Sequence, residues 1–451
     1  MARLPERRRY TGTIYPGGPD WAEVPVEVPD GVGELAVRYR YDRPGNVLDL
    51  GVLDPSGIRG WSGGARDRFA ISRSGATPGY LPGVIQPGTW RVVLGPYRVA
   101  PQGLGWELEV TLAEAPPGPA FVPDPAPERA GGRGRGWYRG DLHTHTVHSD
   151  GRRTPAQLAA AARAAGLDFF ASTEHNTTSA NLDWGRHAGP GLLVVDGQEV
   201  TTRDGHWLAL GLGPGPVVDW RHRAGDGGLG RAVAGLRDRG GLAVAAHPFC
   251  PLPGCGWGFG YQDVDAVEVW NGPWGADDEA ALVAWDRLLA GPGRFLPAVA
   301  GSDAHGPGDR VGLPHTVVLA GGLDRRSVLD GLAAGRCWLA GSAAVDLRLE
   351  ATAAGASAGI GERLAVPAGQ EVAVRLQGRG APGCLARLCG PGGPALEARL
   401  GAGAPETVEW RATAAPGAWA RAEVRGPPVA GASPGPMLAL TNPVWFGPAE
   451  T

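Results

Sequence analysis

Two hydrophobic patterns alternate along the chain and divide it into three regions. The first region shows period-two alternation: in the run WAEVPVEV the valines point to one side and the glutamates to the other. Turn sequences such as PDG, RPGN and DPSG separate the alternating runs. This pattern predicts an N-terminal antiparallel β-sandwich over residues 1–113. Because the region contains no histidine, we expect it to support the protein or bind a ligand rather than to take part in catalysis.

Residues 114–136 are rich in proline, glycine and arginine and show no periodicity, which is typical of a linker. Beyond this linker and the region that follows it, period-two alternation returns, for example at Val345, Leu347 and Leu349. The region 343–451, which includes the run TNPVWF, is therefore predicted to form a second, C-terminal β-sandwich.

The middle region, residues 137–342, alternates instead between short apolar runs and helical patterns. Its first predicted helix has Thr154 as the N-cap, Pro155 at the first helical position and Gln157 completing a capping box. Strand and helix repetition with polar residues at the C-terminal ends of the strands is typical of α/β enzymes. The periodicity favours a (β/α) barrel and an open α/β sheet equally.

The composition excludes several classes of chemistry. The chain of 451 residues contains no lysine, which excludes a Walker lysine, a Schiff-base lysine and lysine acid–base catalysis. The formal net charge of −4 gives no reason to expect binding to nucleic acid or to a membrane surface. The 75 glycines and 42 prolines follow no collagen-like period, and we interpret them as the turns of β-rich domains.

The five cysteines do not predict a disulfide framework, because their number is odd and no spacing resembles a zinc knuckle. We expect Cys250 and Cys255 to be loop thiols, with metal binding as the alternative. The N-terminus has arginines but no apolar segment typical of a signal peptide, and no run approaches 18 apolar residues. Together these features predict a cytoplasmic protein.

Residues with metal-binding side chains are concentrated at the predicted strand ends of the middle region. Eight of them share this position: His143, His145, Asp150, His175, Glu199, His247, Asp303 and His305. His143 and His145 are two residues apart, so both imidazoles can project from one face of a strand. Five imidazoles with three carboxylates favour a multinuclear divalent-metal site over a Ser-His-Asp triad, for which this middle region contains no GxSxG motif. Glu199 is the expected bridge, because one carboxylate can bind two cations.

His206 is a further candidate ligand. If the sequence RDG after Glu199 forms a hairpin turn, parity places His206 on the same face as the glutamate. The alternative is a supporting or structural histidine. We interpret the remaining four histidines as surface or packing residues: His148, His187, His222 and His315.

Other residues near the strand ends are candidates for substrate contact or for support of the ligands. Glu268 alternates with two valines in the run VEVWNG, which places a charge on the inner side of the sheet. For Glu268 the alternative is a solvated position at the rim. Glu174 is interpreted only as a hydrogen-bond partner of the ligands. For the aromatic candidates the alternative is loop packing, and for the arginines it is solvation. The further candidates are Asn176, Phe249, Trp257, Phe259, Trp270, Asn271, Trp274, Arg310 and Arg336.

The ordered motifs HTH…SDG, TEHN, QEV, AHP, VEVWNG and GSDAH resemble those of the PHP (polymerase and histidinol phosphatase) domain. The arrangement with a β-domain on each side resembles the CehA/McbA branch of metallohydrolases, which includes an aryl carbamate hydrolase. The motif resemblance covers about 200 residues, whereas the flanking domains match only by pattern. The resemblance implies a distorted (β/α)7 barrel that holds two or three metal ions.

The resemblance also implies three groups of ligands. The first metal would be held by His143, His145, Glu199 and Asp303. Glu199 would bridge to a second metal, held also by His247, with His206 as its least secure ligand. The third metal would be held by Asp150, His175 and His305, with Asp150 at a position where some relatives carry a histidine.

We therefore expect a metal-dependent hydrolase in which Glu199, Asp303 and His247 belong to the catalytic centre. A hydroxide shared by two Zn, Mn or Fe ions would attack a small-molecule ester. A phosphoesterase is the favoured interpretation, with Arg310 as a possible phosphate ligand. A carboxyl-ester or aryl-carbamate hydrolase, with Trp270 and Trp274 contacting the substrate, is the alternative. A non-catalytic binding or scaffold protein is the second alternative.

Overall fold

The computed structural model describes residues 5–291, 293–401, 406–428 and 435–448. Strands dominate these residues and helices are few. The strands form three sheets of four strands and one sheet of fifteen. No helix in the described ranges is long and apolar enough to cross a membrane.

The N-terminal region folds into two antiparallel four-stranded sheets with the orders β1-β8-β3-β6 and β2-β7-β4-β5. The eight strands are β1 (Glu6–Ile14), β2 (Ala22–Val28), β3 (Glu34–Tyr41), β4 (Val47–Asp54), β5 (Gly57–Gly63), β6 (Arg68–Ser72), β7 (Gly88–Arg98) and β8 (Leu104–Ala113). The valines of β2 are buried and alternate with exposed residues, as the sequence pattern predicts. The two sheets share one buried core, in which Val26 and Val92 of one sheet pack with Val37 and Leu108 of the other.

The central region contains a mixed sheet with helices between several of its strands. Its strands are β9 (Gly136–Asp141), β10 (Phe169–Ser172), β11 (Leu193–Thr201), β12 (His206–Leu210), β13 (Leu242–Ala245), β14 (Ala266–Asn271), β15 (Ala298–Gly301), β16 (His315–Ala320) and β17 (Cys337–Ala340). Its helices are α1 (Pro155–Ala164), α2 (Gly185–Ala188), α3 (Gly228–Arg237), α4 (Ala276–Ala290) and α5 (Arg325–Ala333), with a 3₁₀ turn at Ser179–Leu182. The predicted capping box at the start of α1 is present: Thr154 Oγ1 accepts from the Gln157 amide, and Gln157 Oε1 accepts from the Thr154 amide.

The central sheet is only partly parallel, which differs from the strand and helix repetition that the sequence predicts. β9, β10 and β11 are parallel, as are β13, β14 and β15, but β12 and β16 run antiparallel to their neighbours. The tight turn between β11 and β12 explains part of this, because an antiparallel pair needs no crossover helix.

The edge strand β15 approaches β16 without a strand ladder between them in the described residues. Instead, the Thr316 hydroxyl donates to the Ala300 carbonyl and accepts from the Ala300 amide, at 2.9 Å each. The ladders therefore do not show the closed (β/α)7 barrel that the resemblance implies.

The C-terminal region continues the central sheet. Its strands are β18 (Asp346–Ala353), β19 (Ala356–Gly359), β20 (Arg363–Ala365), β21 (Glu371–Arg379), β22 (Leu385–Gly390), β23 (Gly393–Arg399), β24 (Glu406–Thr413), β25 (Trp419–Arg425), β26 (Met437–Thr441) and β27 (Val444–Gly447). β26 pairs antiparallel with β17, and β25, β22 and β23 follow in the same ladder. β19, β18, β21 and β24 form a separate four-stranded sheet that packs on a shared core. The sequence boundary at residue 343 is thus bridged by backbone hydrogen bonds.

Buried polar contacts reinforce this junction. The Arg421 guanidinium makes two contacts with the Asp286 carboxylate of α4, at 2.8 and 2.6 Å. Arg425 pairs with Glu279 of the same helix. Asn442, in the run TNPVWF, accepts from the Ala298 amide and donates to the Ala298 carbonyl, which ties the C-terminal region to β15.

Candidate metal centre

The candidate ligands lie where four strands end and where a hairpin joins two others. Those that follow the ends of β9, β10, β13 and β15 are His143, His145, Asp150, His175, His247, Asp303 and His305. The hairpin of β11 and β12 carries Glu199 and His206. Ends of parallel strands meet at one edge of a sheet, so residues distant in sequence come together. The two histidines of the HTH motif lie just beyond β9 rather than on it.

Four of these residues form an inner group in which all but the partly exposed Asp303 are buried: His143, His145, Glu199 and Asp303. The Nε2 atom of His143 lies 3.1 Å from Glu199 Oε2 and 3.4 Å from Asp303 Oδ1. The Nε2 atom of His145 lies 3.3 Å and 3.0 Å from the same two oxygens. Two imidazoles and two carboxylates thus direct one atom each toward a common point.

These four atoms of the inner group have no hydrogen-bond partner among the described residues. Buried polar atoms are nearly always partnered, because leaving one unsatisfied costs about 1–3 kcal/mol. Imidazole nitrogens and carboxylate oxygens are together the ligands that Zn, Mn and Fe accept in proteins. The inner group therefore fits a divalent metal ion.

An outer group lies beside the inner one and is more open to solvent: His145, Asp150, His175 and His305. The Asp150 Oδ1 atom lies 3.2 Å from His305 Nε2 and 3.6 Å from His175 Nε2. The rings of His145 and His305 are stacked, with 4.1 Å between their centroids. This group offers a second set of nitrogen and oxygen ligands.

The other carboxylate oxygen of Glu199 faces a third set of donors. His206 Nδ1 lies 2.8 Å and His247 Nε2 3.1 Å from Glu199 Oε1. Glu199 therefore directs one oxygen to the inner group and the other to this pair, which is the arrangement that a bridging carboxylate requires.

Cys255 also reaches this third set, with its sulfur 3.4 Å from His247 Nδ1. However, Cys255 is disulfide-bonded to Cys250, so the expectation of two loop thiols is wrong. The two Cα atoms are 5.6 Å apart, a separation typical of disulfides, which the sequence spacing alone does not reveal. The disulfide leaves no thiolate here for metal binding. The remaining cysteines are free and buried: Cys337, Cys384 and Cys389.

The electrostatics of the inner group favour bound cations. Burial by itself would lower the pKa of His143, but the carboxylates of Asp303, Glu268 and Glu199 outweigh it and hold this pKa well above its usual value. Conversely, burial would raise the pKa values of Glu199 and Asp303, but the surrounding imidazoles hold both well below their usual range. The carboxylates thus keep their negative charges in a buried site.

The pKa values of His175 and His305, the two partly exposed histidines of the outer group, are shifted in the opposite direction from that of His206. Against the effect of burial, Glu199 and Asp150 raise the pKa of His175 to about 10. Burial is likewise outweighed at His305, where Asp150 and Asp303 raise the pKa to about 9. Burial dominates at His206 and lowers its pKa to about 4, so this ring is neutral and ready to act as a ligand at pH 7.

Backbone strain is concentrated at this site. Asn176, His247 and Asp303 have positive φ angles of 54°, 26° and 50°, although none is a glycine. Such conformations cost free energy and persist at functional sites where surrounding contacts enforce them. Asn176 is held by two side-chain hydrogen bonds to the Thr201 backbone, at 2.8 and 3.2 Å. A close approach also explains Gly301, where a Cβ atom would lie 2.4 Å from the His143 Cβ.

The Glu268 carboxylate contacts two of the candidate ligands. Its carboxylate lies 3.1 Å from His143 Nδ1, accepts from the His247 amide at 2.9 Å and accepts from Asn271 Nδ2 at 3.0 Å. A carboxylate on one ring nitrogen fixes the tautomer and leaves the other nitrogen free to bind a metal. Glu268 therefore contacts both His143 and His247, and Asn271 in turn contacts Glu268.

Two further carboxylates organise the ligand loops. Glu174 accepts from the Thr146 amide at 3.0 Å and from the Ser149 hydroxyl at 2.5 Å, which shapes the loop that carries Asp150. Asp141 is fully buried and accepts from the amides of His143, Ser302 and Gly312. Sequence reasoning missed Asp141. The only available signal was a carboxylate at the end of an apolar strand, directly before the HTH motif.

A cavity of about 720 Å³ adjoins the outer group and the inner carboxylate Asp303. Its lining includes the predicted substrate residues Trp270, Asn271, Trp274 and Arg310, together with His305 and, from the C-terminal region, Met437. The other phosphate candidate, Arg336, precedes β17 and does not line this cavity. Phe249 is exposed, whereas Trp257 and Phe259 pack against each other with 5.1 Å between ring centroids.

The four histidines predicted to be surface or packing residues lie outside the groups of candidate metal ligands found in the described residues. His148 contacts the Ser179 hydroxyl at 2.8 Å, and His315 contacts Arg139 at 2.8 Å. His187 contacts Asp183, and His222 is buried in an aromatic cluster.

No known protein family matches the sequence, and no curated protein matches it. A two-domain protein from Bacteroides vulgatus, described as containing a predicted PHP-like metal-dependent phosphoesterase, is 16% identical. That comparison covers 72% of this chain and 100% of the other, with a TM-score of 0.40. An amidohydrolase from Chromobacterium violaceum is 21% identical over 38% of this chain and 89% of the other, with a TM-score of 0.28. Both TM-scores lie below 0.5, which is too low for these similarities to indicate a function.

Proposed function

We propose that this chain is a metal-dependent hydrolase whose active centre is built around Glu199. One observation carries this proposal: a single buried carboxylate lies within 3.3 Å of five imidazoles that come from four segments of the chain. Three of them face one oxygen of Glu199 and two face the other. A purely structural histidine cluster has no need of such convergence, whereas a multinuclear metal site requires it.

The donor set suits two or three divalent ions, with Zn, Mn and Fe as candidates. The inner group would hold one ion, the pair His206 and His247 a second, and the outer group a third. When bound, such ions polarise an ester and make a water molecule acidic enough to attack it at neutral pH.

The protein residues prepare the site for these ions. Glu268 holds His143 so that Nε2 faces Glu199 and Asp303, and the pKa values of both carboxylates stay low, which keeps them charged. The outer group and the adjoining cavity leave one side of the centre open, and a small ester would enter from that side.

The test of this proposal is elemental analysis of purified protein after mild dialysis, combined with hydrolase assays before and after chelation. We expect two to three divalent ions per chain and loss of activity on chelation that added Zn or Mn reverses. Protein that carries no metal and cannot be reloaded would overturn the proposal.

Phosphate esters are the proposed substrates. Arg310 lines the cavity beside His305 and Asp303, and its guanidinium has no ion-pair partner within the part of the chain that the structure describes. A planar guanidinium pairs well with phosphoryl oxygens through two parallel hydrogen bonds. Because the chain has no lysine, arginine is the cation available for this purpose.

Carboxyl esters or aryl carbamates are the second candidates, since Trp270 and Trp274 line the same cavity. The two rings pack edge to face at 5.2 Å, and Trp274 Nε1 donates to Glu279 at 2.7 Å. Assays with p-nitrophenyl phosphate, bis(p-nitrophenyl) phosphate and p-nitrophenyl acetate separate the classes. We expect turnover of the phosphates to dominate, and activity confined to the acetate would favour the second class.

A further inference from the structure

The turn that joins β11 and β12 carries candidate ligands at both ends. Glu199 precedes the turn and His206 follows it, and their side chains meet at 2.8 Å. Thr202 closes the turn through its hydroxyl, which donates to the Gly205 carbonyl and accepts from the Asp204 amide. A tilt of this short turn would therefore move His206 relative to Glu199.

Arg203, which lies in this turn, contacts three residues of the N-terminal domain. The guanidinium of Arg203 lies between the rings of Trp21 and Tyr97, with 4.7 Å to each centroid. One of its nitrogens lies 3.8 Å from the Asp49 carboxylate, and the side chain is only 11% exposed. All three partners belong to the N-terminal sheets or their connections, more than a hundred residues away in sequence.

A second contact holds the same turn from the other side. The Asp204 carboxylate accepts from Arg223 at 2.5 Å and from the Ala224 amide at 2.8 Å. Arg223 also makes a bidentate contact with Asp20, at 2.8 and 3.0 Å, directly beside Trp21. The segment Asp20–Trp21 of the N-terminal domain thus fixes both residues at the tip of the hairpin.

The contact is specific in its chemistry. A guanidinium is planar and stacks on aromatic rings on both of its faces, whereas an ammonium group is a compact, strongly hydrated charge. A lysine at position 203 would therefore keep the charge but lose the stacking. Hairpin tips without such contacts belong to the least stable parts of a fold.

We propose that Arg203 is a positioning residue through which the N-terminal domain sets the geometry of Glu199 and His206. The domain would then be a structural part of the second metal position rather than a separate support. This inference rests on the metal centre of the proposed function.

The competing explanation is that Arg203 merely joins two domains. Arg221 provides a matched control, because it also crosses this interface, donating to Glu23 at 2.7 Å, and is similarly shielded from solvent. Its other partner is Asp219, at 2.9 Å, so it does not contact the ligand-bearing turn. Removing Arg221 weakens the interface and leaves the turn untouched.

The experiment compares wild type with Arg203→Ala, Arg203→Lys and Arg221→Ala in the full chain. The readouts are Zn bound per chain, Zn affinity, thermal stability and the visible spectrum of the Co²⁺-loaded proteins. We expect both Arg203 variants to bind one ion about 10–100-fold more weakly, the usual loss when a ligand-orienting group is removed. Their Co²⁺ spectra should change, while Arg221→Ala keeps the wild-type spectrum and affinities.

Two substitutions of Tyr97 test the same contact if Arg203→Ala does not fold. Tyr97→Phe keeps the ring but loses the hydroxyl contact with the Pro253 carbonyl, and Tyr97→Ala removes both. We expect Tyr97→Phe to resemble wild type and Tyr97→Ala to resemble the Arg203 variants. An Arg203→Ala or Tyr97→Ala protein with wild-type affinities and spectrum would overturn the role of Arg203 alone. A wild type without bound metal would overturn the proposed function as well.

Discussion

The inner and outer groups of the candidate metal centre use the same residue types but differ in how far solvent reaches them. In the inner group, the side chains of His143, His145 and Glu199 are at most 1% exposed. In the outer group, the Asp150 side chain is 48% exposed. A buried charge without compensation is far more costly than an exposed one. From this comparison we expect the inner group to need a bound cation, whereas water could compensate the outer group without one.

The largest effect is expected when a carboxylate charge is removed from the inner group. We expect Glu199→Gln and Asp303→Asn to lower kcat/KM by at least about a thousand-fold, comparable to losing a central electrostatic contact in other active sites. Both substitutions keep side-chain volume, so circular dichroism should be unchanged. His187→Ala, outside the three groups, serves as the control and should retain activity. A Glu199→Gln protein with near-normal turnover would show that Glu199 does not bridge.

A second prediction concerns the open side of the centre, where Arg310 lines the cavity. If phosphate esters are the substrates, Arg310→Ala removes a charged hydrogen bond worth ~1.5–3 kcal/mol. The value of kcat/KM for p-nitrophenyl phosphate should then fall by a factor of roughly ten to a hundred. Trp270→Ala and Trp274→Ala should instead raise KM for p-nitrophenyl acetate. Unchanged phosphate kinetics in Arg310→Ala would count against a phosphoesterase.

The outer group offers a milder test. We expect Asp150→Asn to weaken one bound ion and to lower activity by about ten-fold, the lower end of losses seen for groups that tune a metal. Because solvent already reaches this group, excess Zn or Mn should restore most of the activity. The same addition should not rescue Glu199→Gln. If added metal rescues neither variant, the distinction between the inner and outer groups is wrong.

The smallest effect is expected in the pH dependence of the metal-free protein. The pKa values of His175 and His305 are raised to about 10 and about 9, above the ordinary value of an unfolded chain. The folded state therefore binds these protons more tightly than the unfolded state, and the resulting stability is complete below pH ~6.5. It is lost as pH rises through 9 and 10.

Urea unfolding of chelated protein should show this loss as a fall of ~1–2 kcal/mol between pH 6.5 and pH 10, a value reduced for solvent screening of the exposed rings. In metal-loaded protein the ligand rings are already unprotonated, so the fall should be smaller. Equal slopes in both forms would show that these histidines do not bind metal.

The positions of the candidate ligands follow from local rules that can be applied to the sequence. Strand ends can be read from apolar runs, and the spacing of His143 with His145 and of Asp303 with His305 places pairs of donors together. The hairpin turn before His206 follows from the sequence RDG, and the structure places that turn between β11 and β12. Helix α1 begins at the predicted capping box for the same reason.

Other parts of the site depend on contacts between distant residues and could not be predicted. Arg66 of the N-terminal domain donates to the Ser149 carbonyl at 3.0 Å and also contacts the Val147 carbonyl, although it is more than eighty residues away. No periodicity encodes such a contact. The absence of histidine from this domain led to the expectation that it supports the protein or binds a ligand, but nothing in the sequence indicates that it contacts the ligand loops directly. Whether Cys250 pairs with Cys255 likewise depends on the folded loop.

The fifteen-stranded sheet includes strands of both the central and the C-terminal regions, so the chain cannot be divided between them without breaking strand pairs. A polypeptide ending at residue 342 would lack β26, leaving the backbone groups of Cys337–Ala340 without their partner strand. It would also strip Ala298 of its contacts with Asn442. An exposed strand edge recruits other chains, so such a fragment would aggregate rather than fold as a smaller protein. A transfer of the central region to another protein would therefore have to include the C-terminal region as well.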